Sequence, residues 1–323
     1  MNCKNKFLAL LLVGVLALPM FAEEAETTKS KWLDEYPKHI GFTWGADEEL
    51  TANYIWRGLR VAGLSSFTDL SVGYGGLYFD MWWSLGAQDW AFNRGSALAN
   101  FRPEVDLTLG FSRWGLNIMY MQMFYFDTYI GDGTPSRFFD YGNHGYFQGG
   151  ITQEWRVKYK VSSKLPLTFL ICARTFGRDG YYEMKDEYKT DANVAEQIIG
   201  EKAYFGVDDI RSGEKLDPSE RDHYELKRAY STYFEIGYDF TLAKNWTLTA
   251  QVGMTPWRSV YTLFQGGFAI NNVNIRAVRT WEWGKHCDMR GYLQCMVNPW
   301  QLATNGVTQD GLMLNAGIGV SFK

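Results

Sequence analysis

From Leu312 to Phe322 the chain alternates without a break. Leu312, Leu314, Ala316, Ile318, Val320 and Phe322 are apolar, while Met313, Asn315, Gly317, Gly319 and Ser321 are mostly small or polar. A period of two makes a strand with two unlike faces and excludes an amphipathic helix. Such a strand at the end of a chain that is 17% aromatic has the pattern of the closing strand of a transmembrane β-barrel.

The first residues fit export to such a place. Lys4 and Lys6 precede an apolar run from Phe7 to Leu18, small residues follow, and Glu23-Glu24 is acidic. The run is too short for a spanning helix and reads as a signal peptide over residues 1–22, cleaved after Ala22. Residues 23–45 then form a periplasmic extension, and 46–323 the barrel. Only Cys172, Cys287 and Cys295 remain after cleavage, an odd count that argues against a disulfide framework, with a Cys287–Cys295 bridge as the alternative.

Other segments repeat the alternation. In Leu77 to Gln88, Leu77, Phe79, Met81, Trp83, Leu85 and Ala87 oppose Tyr78, Asp80, Trp82, Ser84, Gly86 and Gln88. The same pattern runs through 104–111, 151–160, 230–240 and 246–253. Less regular candidates lie at 50–58, 67–75, 114–126, 166–176, 267–279 and 289–298. The expected architecture is an all-β, antiparallel up-and-down transmembrane barrel of about twelve strands (10–14), with short periplasmic turns and long external loops. Aromatics near strand ends (Trp56, Trp114, Tyr159, Phe240, Trp246, Phe322) are expected in the interfacial girdles. A soluble sandwich or lipocalin-like barrel also alternates, but twelve strands enclose too much space for side chains to fill.

The 177–228 segment differs in kind. From Arg178 to Arg228 it holds 14 acidic and 9 basic residues. It reads as a large external loop with a short helix near Asp191 to Phe205, serving as solvated loop, plug, cation site or receptor surface. Glu183, Asp186, Glu187, Asp208 and Asp209 supply candidate Ca²⁺ oxygens without the spacing of a known loop.

Enzymatic motifs are missing: no GxSxG, HExxH or CxxC occurs. His144 and His223 fall in external loops, and His286-Cys287 with Cys295 matches no common metal site. The chain is read as a non-enzyme with no catalytic residues, cofactor or metal. Chemistry concentrates on the inward faces. Asp80, Glu104, Asp106, Glu235 and Asp239 supply acid, while Arg57, Arg156, Lys158, Arg174 and Arg276 supply base. Opposed on different sectors they create a transverse field across a pore, and paired with one another they pack the lumen. A backbone radius of about 12 Å leaves a narrow passage for small solutes. Gly317 and Gly319 on the inner face are expected to add space.

Ala52-Asn53-Tyr54-Ile55-Trp56-Arg57-Gly58 resembles the "S-x-Y-x-x-R-G" opening strand of the TorF-type porin family, outer-membrane barrels of diderm bacteria. The strand pair through Asp89 and the Asn298-Pro299 stretch before the terminal strand are similar too. Leu59 to Gly63 depart from the family's polar continuation, and the chain ends in Lys323 where an aromatic is usual. The resemblance implies a barrel in the outer membrane and adds no catalytic residue.

The expected function is a monomeric porin-like channel for small polar solutes, in contact with the lipid bilayer and lipopolysaccharide, folded by the outer-membrane assembly machinery, with no nucleic acid partner. The alternatives are a closed barrel acting as a receptor or structural protein through 177–228, and a lipid-modifying barrel enzyme using His144 or His223.

Overall fold

The computed structural model describes residues 41–87, 101–125, 151–177, 179–190, 198–200, 222–262, 264–305 and 311–322. Its strands begin with β1 (Phe42–Thr51), β2 (Tyr54–Trp56), β3 (Leu59–Ala62), β4 (Ser65–Tyr74), β5 (Leu77–Ala87) and β6 (Phe101–Arg113). They continue with β7 (Leu116–Tyr125), β8 (Ile151–Lys160), β9 (Leu167–Gly177), β10 (Gly180–Met184), β11 (Ile198–Gly200) and β12 (Tyr224–Arg228). The last are β13 (Thr232–Ala243), β14 (Trp246–Thr255), β15 (Ala269–Glu282), β16 (Cys287–Val297) and β17 (Leu312–Phe322), with the α-helix α1 (Pro299–Asn305) before β17.

The closed barrel runs β1-β4-β5-β6-β7-β8-β9-β13-β14-β15-β16-β17, and β17 returns to β1 antiparallel. The twelve-stranded antiparallel barrel is therefore as expected, and its closure leaves the barrel sheet without an edge strand. Neighbouring strands join by tight turns at one end, such as Gly75-Gly76. Both of these glycines have positive φ (63° and 101°), which a two-residue hairpin turn requires. The longer connections all emerge at the other end.

Register sorts the side chains. In β16 and β17, Leu293 is 69% exposed and Leu314 71%, while Gln294 and Asn315 beside them are buried. The apolar row read from the sequence in β17 is thus the outer face. Trp114, Tyr159, Phe240, Trp246 and Phe322 are exposed as expected of girdle residues.

The first strand lies elsewhere than expected. It lies at Phe42–Thr51, starting inside the expected extension, not at 50–58. Asp47 and Glu49 precede the strand expected at 50–58, yet they face the interior, where ion pairs hold them. Tyr54, Ile55 and Trp56 are buried without alternation. That is the mark of a segment enclosed on both sides, not of a barrel wall. Trp56 is consequently an interior residue and no girdle residue.

Two further expectations change. β10 pairs with β11 and β12 in a three-stranded ledge continuing outward from β9 and β13, so Ile198–Gly200 is strand where a helix was expected. The remainder of 191–205 lies outside the described residues. Cys287 and Cys295 are free thiols on one strand, eight positions apart, which no bridge can span.

Candidate functional site

The lumen is built by inward rows, and the connection from β1 to β4 folds into it. Thr51 and Ser65 are paired at the base. Between them β2 and β3 form a hairpin that shares no ladder with the barrel wall. Its turn is Arg57-Gly58, with φ of 48° and 84°. Positive φ at both central positions is the geometry of a tight hairpin turn, and for arginine it carries a conformational cost. Gly58 is obligatory by space as well: a Cβ there would lie 1.8 Å from the Asn271 carbonyl oxygen.

Apolar packing seats the hairpin. Tyr54, Trp56 and Ala62 pack with Phe67, Trp82, Leu170, Cys172, Tyr233 and Tyr261. Ile55 on the other side meets Met296 and Met313. Each such large side chain contributes about 1.5–3 kcal/mol when fully buried. Side-chain amides fix the turn: Asn271 Nδ2 donates to the Arg57 carbonyl and Asn298 Nδ2 to that of Gly58, both at 2.9 Å. Tyr54 Oη donates to Glu104 on β6 at 3.0 Å.

Arg57 thus lies in the lumen as expected, but at the tip of an insertion and not on the wall. Its guanidinium donates Nη1 and Nη2 to the two Glu154 oxygens at 2.6 and 2.7 Å. Nη2 also lies 2.7 Å from Cys172 Sγ, and Nη1 is bonded to Tyr261 Oη. Trp56, Tyr233 and Tyr261 present ring faces to it at 4.7, 4.9 and 5.5 Å. Arg156 Nε donates to the same carboxylate at 2.5 Å. Arg174 stands opposite Glu154 in register, 5.1 Å from the Trp56 ring. Three expected basic residues therefore converge on one glutamate absent from the expected set. Glu154 was visible as an inward position of β8, but only the hairpin makes it a focus.

A second cluster joins β16 to β1. Arg290 contacts Asp47 at 2.7 Å and Glu49 at 2.6 Å. Tyr292 Oη donates to Glu49 Oε1 at 2.8 Å. Arg276 lies 3.7 Å from Glu49 and 3.7 Å from the Tyr292 ring centroid. Gly317 and Gly319 make this possible, since a Cβ would lie 2.5 Å from the Tyr292 ring and 2.6 Å from Arg290 Cζ. The space these glycines were expected to add is filled by neighbours.

An amide chain, also unforeseen, runs across the wall from β13 to β17. Gln251 Nε2 donates to Glu235, Asn274 Nδ2 to Gln251, Gln294 Nε2 to Asn274 and Asn315 Nδ2 to Gln294, at 2.8, 2.8, 3.1 and 3.1 Å. Thr51 Oγ1 donates to Asn315 Oδ1 at 2.9 Å, closing the path onto β1. The signal was present as an inward Gln or Asn in each of β14 to β17.

Asp80, Glu104 and Asp106 are buried on adjacent inward rows of β5 and β6. Glu235 accepts from Tyr233 at 2.6 Å, and Asp239 from Thr249 at 2.7 Å. Lys158 faces inward toward the short-turn end, half-buried. Of the two arrangements considered, mutual pairing describes the Arg57–Glu154–Arg156 and Arg290–Asp47–Glu49 groups.

The other candidates do not form a centre. Glu183 pairs with Lys227 at 2.7 Å and Asp186 with Lys189 at 2.7 Å, so these carboxylates serve ion pairs of the ledge. Asp208, Asp209 and His144 lie outside the described residues. His223 stacks on Tyr188, with centroids 4.0 Å apart. Among the described residues no group of three or more His, Cys, Asp or Glu is placed to hold a metal ion.

No protein-family model matches this chain, and no curated protein sequence matches it. Among solved structures it is similar to the KdgM porin, at 6% identity over 86% of this chain and 98% of that one, with a TM-score of 0.37. The NanC porin aligns at 11% identity over 86% and 99%, TM-score 0.39. The COG4313 outer membrane channel from Pseudomonas putida F1 aligns at 8% identity over 88% and 96%, TM-score 0.38. The outer membrane phospholipase A from Escherichia coli aligns at 11% identity over 87% and 96%, TM-score 0.32. At such values these likenesses carry no argument about what the chain does.

Proposed function

We propose that the protein is a monomeric, porin-like outer-membrane channel for small polar solutes, exported by its first 22 residues and akin to the TorF-type porins. The observation that carries this is the division of the barrel wall: a predominantly apolar, exposed outer face around an inner face of charges and amides. A membrane supplies the one environment in which that outer face is satisfied, and a polar lumen suits hydrated solutes. With short turns in the periplasm, the β2–β3 hairpin crosses the lumen toward the external side. It sets the width of the passage, and Asp80, Glu104, Asp106, Arg156, Lys158, Arg174, Glu235, Asp239 and Arg276 tune its charge. The barrel contacts lipopolysaccharide through its external rim.

Planar-bilayer recording tests this reading. Steady conductance steps from purified protein, with ion selectivity shifted by Asp80→Asn or Arg156→Gln, are the expected result. Silence from protein that is folded, judged by a mobility change on boiling, rejects the channel.

One observation favours a second reading. The hairpin and the buried ion pairs fill part of the interior, and the β10–β12 ledge presents an ordered surface outside it. A closed barrel acting as a receptor through 177–228 would have these features and no conductance.

A further inference from the structure

The outer wall is apolar with few exceptions, and the exceptions are placed unevenly. Among the described residues, the charged side chains at outward positions of the barrel strands are Glu48, Arg113 and Arg279. Thr68 Oγ1 donates to Glu48 at 2.8 Å, so Glu48 has a neighbour on the wall. The two arginines share another setting. Arg113 is the last residue of β6, its Cζ 4.4 Å from the ring centroid of Trp114 in the adjoining turn. Arg279 pairs with Trp246, the first residue of β14, and its Cζ lies 5.5 Å from that ring and 5.0 Å from the Trp281 ring.

Both arginines therefore sit at the short-turn end, on the lipid-facing surface, each against exposed indoles. An arginine in mid-membrane is costly, and that cost falls near the interface, where indoles also settle. At this level the available counter-charge is the phosphate of a phospholipid, which a guanidinium binds through paired N–H donors. The turns add Lys164, Lys244 and Lys285, all exposed, with Glu282 as an exposed carboxylate at the same rim.

We propose that this rim binds the headgroups of anionic phospholipids in the periplasmic leaflet, with Arg113 and Arg279 as the phosphate contacts. The proposal rests on the membrane reading above. Charge complementarity and continuity with the apolar belt select a phospholipid as the occupant.

The full chain, refolded into vesicles of phosphatidylcholine alone or mixed with phosphatidylglycerol, can be unfolded in urea and followed by its mobility on unboiled gels. The urea midpoint of the wild type is expected to be higher in the mixed vesicles. The Arg113→Gln/Arg279→Gln variant should lose most of that gain. A wild type without the gain, or a double variant that retains it, overturns the proposal. Should the double variant fail to refold, Arg279→Lys keeps the charge but loses the planar fork, and it should lose part of the gain; full retention overturns the proposal. A wild type that acquires no heat-modifiable form in either vesicle defeats the membrane reading instead.

Discussion

Arg57 reaches from the tip of an inserted hairpin to Glu154 on β8 and binds both of its carboxylate oxygens, at 2.6 and 2.7 Å. The contact joins residues 97 positions apart and ties the β1–β4 connection to a different part of the wall. It also holds Arg57 in a left-handed backbone conformation, which persists where surroundings over-determine it. Both side chains are buried. Removing one partner of such a pair leaves an uncompensated charge and costs about 3–5 kcal/mol. Glu154→Gln is therefore expected to lower the urea midpoint of the refolded barrel, and by more than Arg57→Met, because it strands Arg156 as well.

Gly58 carries the same hairpin by shape. Any side chain there meets both a strained φ and the Asn271 carbonyl. Gly58→Ala should displace the hairpin and uncover Cys172, which is fully buried against it. With Cys287 and Cys295 replaced by serine, maleimide labelling should be slow in the parent and fast in Gly58→Ala. Equal rates would mean that the hairpin does not shield the thiol.

Tyr292 lies over Gly317 and donates to Glu49 on the next strand but one. Gly317→Ala is expected to destabilise the barrel by about 1–3 kcal/mol through overpacking. Tyr292→Leu in the same chain should recover part of that loss, since the ring that clashes is gone. A double-mutant cycle in urea reads the coupling directly.

The ledge answers to acid. Burial alone pushes the Glu183 carboxyl up, but the hydrogen bond and charge of Lys227, with Lys189 nearby, outweigh it and hold the group below the usual carboxylate range. A depressed folded pKa gives stability above the unfolded value, about 4.3, and loses it as pH falls through the folded value. Proteolytic nicking of 178–231 should rise below about pH 4. Glu183→Gln should be nicked more readily at neutral pH, with a weaker acid dependence.

Strand count, closure and the two faces of most strands were legible because period-two alternation is local, and Leu312 to Phe322 states it in eleven residues. The hairpin was not. Tyr54-Ile55-Trp56 is a short apolar run that suits a wall strand as well as an enclosed one, and periodicity cannot separate them. Asp47 and Glu49 are absent from the expected site because Arg290, their partner, lies more than 240 positions away and no local pattern joins them. For the same reason Arg57, Arg156 and Arg174 are legible as inward cations in the sequence, while their convergence on Glu154 needs the fold. Gly317 and Gly319 were read as added space since the sequence does not show that Tyr292 and Arg290 cover them.

The central claim is a membrane channel narrowed by the β2–β3 hairpin. It is tested most directly by comparing single-channel conductance of the wild type with a variant in which residues 53–63 are replaced by a short glycine-rich turn. Small steady steps in the wild type and clearly larger ones in the variant are predicted. Equal conductance in the two, or silence from both when each is folded in the bilayer, would contradict it.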